Sequence, residues 1–165
     1  MQAKKGDAHM SGYRKVLVGT DGSDSSMRAV DRAAEIAAAV GAKLIVATAY
    51  TPHGETRGGW AVPPGIPPNP DPKGEGYQQT GNAPIYAILR EARDRAKATG
   101  AKDIEERPIV GDAVHALVDL AEKVHADLLV VGSVGLNSIA GRLLGSVPAS
   151  VSHKAKTDVL IVHTI

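Results

Sequence analysis

The sequence predicts an α/β fold: one doubly wound, five-stranded parallel sheet with helices on both faces. Three observations predict it. Short runs of Val, Leu and Ile alternate with longer amphipathic stretches, the pattern of strand–helix–strand units joined by right-handed crossovers. Apolar residues make up 43% of the 165, yet only 3% are aromatic and Phe is absent. A core built from Ala, Val, Leu and Ile suits a parallel sheet buried between two helical layers. The length fits one domain and is short for two.

Val16–Thr20 is an apolar run bounded by turn residues and reads as the first buried strand. Ser23 or Asp24 can cap the helix that follows, whose apolar positions are Met27, Val30, Ala33, Ala34, Ala37 and Val40, with Gly41 as its stop. Leu44–Ala49 is the second strand. Residues 51–82 then hold seven of the ten prolines and seven of the 18 glycines, a density no regular element survives. So long a loop is a mobile insertion, a lid or a partner-binding segment. Asn82 and Pro84 open the next helix, with Ile85, Ile88, Leu89, Ala92 and Ala96 inward and Gly100 at its end. Ile104–Val110 is a third, more polar strand, expected at a sheet edge. Gly111-Asp112 opens a helix with Val114, Leu117, Val118, Ala121 and Val124 inward. Asp127–Gly132 reads as a central strand, residues 147–155 as a helix, and Asp158–His163 as the closing strand.

Composition excludes several function classes. Nineteen Lys and Arg face 18 Asp and Glu, so no concentrated basic surface for a nucleic acid is expected. There is no cysteine, which removes disulfides, thiol catalysis and thiolate metal sites. The opening MQAKKGDAHM lacks an apolar signal core, and no apolar run nears the roughly 20 residues of a membrane span. A soluble, cytoplasmic protein is expected, without a membrane partner. Residues 1–12 read as a disordered extension or a tag, and 13–165 as the domain, with 51–82 as an insertion.

In a doubly wound sheet, ligands sit beyond the C-terminal strand ends, where the strand order reverses. The turns to inspect are therefore 19–23, 49–50, 111–112 and 132–146. The last is the richest in signal. Gly132 and Gly135 leave a strand, and Gly145 and Ser146 enter a helix. Glycine lets a ligand approach bare N–H groups, and a helix N-terminus offers unpaired donors and a positive dipole end. A phosphate satisfies all of these, although each glycine alone could serve only a tight turn. Asp21, just past the first strand, can accept from ribose hydroxyls or an adenine amino group, or can simply cap the next helix.

These residues resemble the universal stress protein family. Glycine, two residues, glycine, nine residues, then Gly-Ser is the nucleotide signature of its ATP-binding branch, here filled by Gly132, Gly135, Gly145 and Ser146. Thr20-Asp21-Gly22-Ser23 after a Val-rich strand, and Asp158–Val162 at the end, are similar as well. The resemblance implies the adenine nucleotide alpha hydrolase-like fold with strand order 3-2-1-4-5. It implies that Gly132, Gly135, Gly145, Ser146 and Val147 hold phosphate and ribose. Thr20 and Asp21 would line base and sugar, and the Ala49 backbone would meet the adenine edge. Gly111, in the turn after the third strand, and Val131, near the end of the fourth, complete the nucleotide-binding candidates. The family also dimerises through its last strand, which implies a homodimer through 158–163. The apolar Val159–Val162 run suits such an edge.

The ligand is expected to be cyclic AMP, with ATP as the alternative, possibly with Mg²⁺. Triphosphate carries about four negative charges and calls for cations beside it. Arg142 is the lone basic residue between Gly132 and Val147. Pro148 stands where relatives often place a hydroxyl, and the stretch around Ser138–Ser150 resembles the cyclic-AMP-binding actinobacterial branch. A sensor or buffer without turnover is the first reading, and a weak ATPase the second. A flavodoxin-like carrier fits poorly with so few aromatics.

No Gly-Lys-Ser/Thr phosphate loop and no Gly-x-Ser-x-Gly elbow occur. The six His residues lack metal-ligand spacing, with His115 and His125 expected at solvated or helix-end positions. Glu105, Glu106 and Arg107 are expected on a solvated strand face, and the 90–97 charges on the outside of their helix. No acid–base pair and no catalytic or metal residue is assigned.

Overall fold

The computed structural model describes residues 12–50, 83–133 and 146–163. Its elements alternate as predicted: β1 (Lys15–Gly19), α1 (Asp24–Val40), β2 (Lys43–Tyr50), α2 (Ala83–Thr99), β3 (Ile104–Val110), α3 (Ala113–Val124), β4 (Leu128–Gly132), α4 (Ser146–Lys154) and β5 (Asp158–Val162). All strands pair in parallel, in the order β3-β2-β1-β4-β5. Residues 1–11 of the expected 1–12 extension, the expected insertion 51–82, and Gly135 and Gly145 of the glycine loop lie outside the described residues.

Two cores follow from strand alternation. Val16, Val18, Leu44, Val46, Leu128 and Val130 point to one face, where α1 and α2 cover them with Met27, Ala33, Leu89 and Ala92. Leu17, Ile45, Ala47, Leu129 and Val131 point to the other, beneath Leu117, Leu120 and Ala121 of α3 and Val151 of α4. Parallel strands buried on both faces must be apolar throughout, and the continuous Val/Leu/Ile runs of β1 and β4 meet that need.

Local chemistry ends each helix. Ser23 caps α1 by accepting from the Ser26 amide, and Gly41 takes the left-handed conformation at φ 72° that closes it. Asp112 caps α3 through the His115 amide. At its other end His125 occupies the left-handed position at φ 59°, and Lys15 Nζ donates to the Val124 carbonyl at 2.7 Å.

Some expectations change. Val40 is exposed, as are Ala38 and Ala39 beside it in the final turn of α1. Leu120, absent from the expected stripe, is buried, whereas Val114 and Val124 are half-buried. β3 is an edge strand as expected, but its charges do not share one solvated face. Glu105 reaches Lys43 at 2.9 Å, while Glu106 reaches Arg93 of α2 at 2.9 Å from the opposite side. Arg93 and Arg95 are likewise not simply on the outside of α2, since Arg95 clasps Asp31 of α1. Among the described residues no helix is long and apolar enough to cross a membrane.

Candidate functional site

Strand order reverses between β1 and β4. Their pairing runs only from Val16↔Leu128 to Val18↔Val130. Beyond it each strand is held from its outer side. The Thr20 amide donates to the Ala47 carbonyl of β2, and the Ser133 amide to the Val162 carbonyl of β5, both at 2.9 Å. The pairing thus stops short of both C-terminal ends, at the switch point where a doubly wound sheet is expected to hold its ligand crevice. The structure brings Thr20, Asp21, Val131 and Gly132 to the two sides of that point.

Glycines at these ends let helices close in from opposite faces. A Cβ on Gly19 would stand 2.7 Å from Leu117 Cδ1 of α3. A Cβ on Gly132 would stand 2.9 Å from Ser25 Oγ and 3.0 Å from Ser25 O, in the first turn of α1. Gly132 is therefore required by the packing of α1 on β4, a role distinct from the ligand approach expected of it.

The turn after β1 is a closed polar network. Asp21 Oδ1 accepts from the Ser23 amide and from Ser26 Oγ, each at 2.9 Å. The Thr20 and Ser26 hydroxyls lie 2.8 Å apart, and the Gly22 amide donates to Thr20 Oγ1 at 3.1 Å. Thr48 Oγ1 donates to the Thr20 carbonyl at 3.0 Å, tying β2 to the turn. Ser23 is the cap of α1, and Asp21 braces the turn leading to it. Thr20, Ser26, Thr48 and Ser133 are the buried polar residues around this end of the sheet. Sequence reasoning missed Ser26, Thr48 and Ser133. A usable signal existed for Ser26: a serine on the inward, apolar stripe of α1, one position before Met27.

The remaining candidates sit farther out. β2 runs one residue beyond its expected end, so Ala49 lies within the ladder opposite Ile109 and is buried. Tyr50 ends the strand with its side chain in the core, and burial pushes its hydroxyl up to about 12. Gly111, at φ 124°, donates its amide to the Tyr50 carbonyl at 2.8 Å. Two strands separate it from β4, so it stands at the β3 side of the crevice. Ser146 begins α4, Val147 packs against the second core cluster, and Pro148 is buried in the first turn, where its missing N–H breaks no helical bond.

Among the described residues no three His, Cys, Asp or Glu gather as metal ligands. Asp21 braces its turn and Asp112 caps α3. Partial burial pushes the Asp112 carboxyl up, but hydrogen bonds from the His115 amide and ring outweigh it and hold the group below the usual carboxylate range. The described carboxylates do not form an Mg²⁺ cage, which needs several oxygens around one point.

The sequence profile of the Universal stress protein family matches residues 12–163. Universal stress protein Rv1636 of Mycobacterium tuberculosis is 62% identical over 156 residues, 94% of this chain and 99% of that one. A crystal structure of a universal stress protein in complex with cAMP is similar at 61% identity and TM-score 0.70, covering 94% of this chain and 100% of the other. UspA from Lactobacillus plantarum, at 23% identity, shares the fold with TM-score 0.71 over 92% of this chain and 99% of its own.

Proposed function

The chain belongs to the universal stress protein family, and from that premise we propose that it binds an adenine nucleotide, cyclic AMP ahead of ATP, without turning it over. The observation that carries this reading is the 61% identity, over nearly the whole chain, to a universal stress protein in complex with cAMP. The switch point supports it: the pairing of β1 with β4 stops there, with Thr20 and Asp21 on one side and Val131 and Gly132 on the other. On this reading Ser146 and Val147 belong to the phosphate side, as the family resemblance implies also for Gly135 and Gly145, with the Ala49 backbone toward the adenine edge and Gly111 among the lining residues.

Charge favours the cyclic monophosphate. One negative charge is within the capacity of backbone amides and a helix N-terminus, whereas a triphosphate needs cations or Mg²⁺. Among the described residues no cluster of His, Cys, Asp or Glu stands ready to hold a metal that would activate a water, which supports a sensor or buffer, placed in the cytoplasm. It works as a homodimer joined through 158–163.

Calorimetry with both ligands tests the order of preference. Cyclic AMP is expected to bind more tightly, and a clear ATP preference reverses the assignment. Overnight incubation with ATP and Mg²⁺, followed by chromatography, is expected to yield no ADP. Steady product formation would replace the binding reading with a weak ATPase.

A further inference from the structure

The Ser26 hydroxyl is the hub of the turn that carries Asp21. Five polar atoms surround it: Thr20 Oγ1 at 2.8 Å, Asp21 Oδ1 at 2.9 Å, the Ser23 carbonyl at 3.0 Å, and the Asp21 amide and Ser23 Oγ at 3.2 Å. A serine hydroxyl has one proton to give and two lone pairs to fill. Its proton belongs to the Asp21 carboxylate, because a hydrogen bond to a charged acceptor is the stronger one. The Asp21 amide and a neighbouring hydroxyl then fill the lone pairs. One buried hydroxyl therefore grips the same residue twice, at its backbone and at its carboxylate. A helix cap does not require this, since Ser23 already supplies the cap.

We propose that Ser26 is the positioning residue for nucleotide recognition, fixing the Asp21 carboxylate and the Thr20 hydroxyl in one orientation at the crevice. The proposal rests on the nucleotide-binding reading above. Ser26 is buried and its hydroxyl is engaged with Asp21, so it acts through that residue rather than on the ligand. It removes the rotamer freedom that Asp21 would otherwise lose on binding, so its effect appears in affinity.

The test is a double-mutant cycle with Ser26→Ala and Asp21→Asn, read by calorimetry with cyclic AMP, together with χ1 scalar couplings of Asp21 in the ligand-free protein. Ser26→Ala is expected to raise Kd roughly tenfold, the effect of one lost hydrogen bond to a charged group. In the Asp21→Asn background the same change should cost less than about twofold, because contacting residues are not additive. The Asp21 couplings should pass from a single rotamer to an averaged value. Thermal melts identify a Ser26→Ala protein that fails to fold, in which case Ser26→Cys, with a weak donor in place of the hydroxyl, is expected to weaken binding in the same way. Unchanged affinity, or an equal loss in both backgrounds, overturns the positioning role. A wild-type protein that binds no adenine nucleotide overturns the underlying reading as well, and is told apart by that measurement alone.

Discussion

Gly19 and Gly132 look alike in sequence, each ending a strand, but their neighbours differ in what can yield. An added Cβ at Gly19 meets the tip of the Leu117 side chain, which can change rotamer. At Gly132 it meets the backbone of Ser25, which the capped first turn of α1 holds in place. Gly132→Ala is expected to destabilise by about 1–3 kcal/mol through overpacking. Gly19→Ala should cost less. Urea melts of both variants check the ranking, and a Gly19→Ala that proves the more damaging would contradict it. The sequence marked both glycines as special without telling packing from ligand approach. That distinction depends on which helix lies above each strand end, and spacing along the chain does not report it. The place of Asp21 and Thr20 in the turn after β1 was legible, and Ser26 was marked by its place on the apolar stripe of α1, but the bonds among them were not legible because these partners gather only when the turn closes.

Asp112 makes a pH-dependent contribution of known sign. Its carboxyl is held below the usual range by the His115 amide and ring, against the upward push of partial burial. A group whose folded pKa is depressed stabilises fully above its unfolded value, about 3.9, and loses that contribution as pH falls through the lower folded value. Asp112→Ala should therefore cost about 1 kcal/mol at neutral pH. The gap to the wild type should narrow below about pH 4. Parallel melts at pH 7 and pH 3 would reveal it, and a gap that stays constant would place the loss elsewhere in the cap.

At the scale of elements, all nine of the described residues' elements were readable, because alternating apolar runs and capping residues are local signals. The strand ends moved by a residue, as in β2, where Tyr50 joins the ladder opposite Val110. How α1 and α2 lock together was not readable, because it rests on a clasp between residues 64 apart. Arg95 Nε and Nη2 donate to the two Asp31 carboxylate oxygens at 3.1 and 2.6 Å, and the pairing raises the Arg95 pKa further. Both side chains remain more than a third exposed, so solvent screening limits the gain. A double-mutant cycle with Arg95→Ala and Asp31→Ala is expected to give a coupling of about 0.2–1 kcal/mol that shrinks at high salt. A coupling insensitive to salt would mean that packing of the arginine stem, not charge, joins the helices.

At the scale of the molecule, the two edges of the sheet are built differently. β3 carries Glu105, Glu106 and Arg107, engaged with Lys43, Arg93 and one another, and Pro108 has no N–H to offer. Charge and proline are what close an edge to further pairing. β5 has no proline, and its single charge, Asp158, stands at its first residue, where it accepts from the Tyr13 hydroxyl at 3.0 Å. Val159 and Ile161 pack against one core cluster and Leu160 against the other, all half-buried, and no described strand pairs on its outer side. Association of two chains should therefore use β5, by a two-fold antiparallel pairing. Light scattering is expected to give twice the chain mass of 17.1 kDa. Val159→Lys should return it to the monomer mass with far-ultraviolet circular dichroism unchanged, since a lysine can carry its charge to the rim while its stem keeps the apolar contact. A dimer that withstands this change and the matching Ile161→Lys, or a wild type that runs as a monomer at micromolar concentration, would mean that the apolar side chains of β5 serve only the chain's own two helical layers.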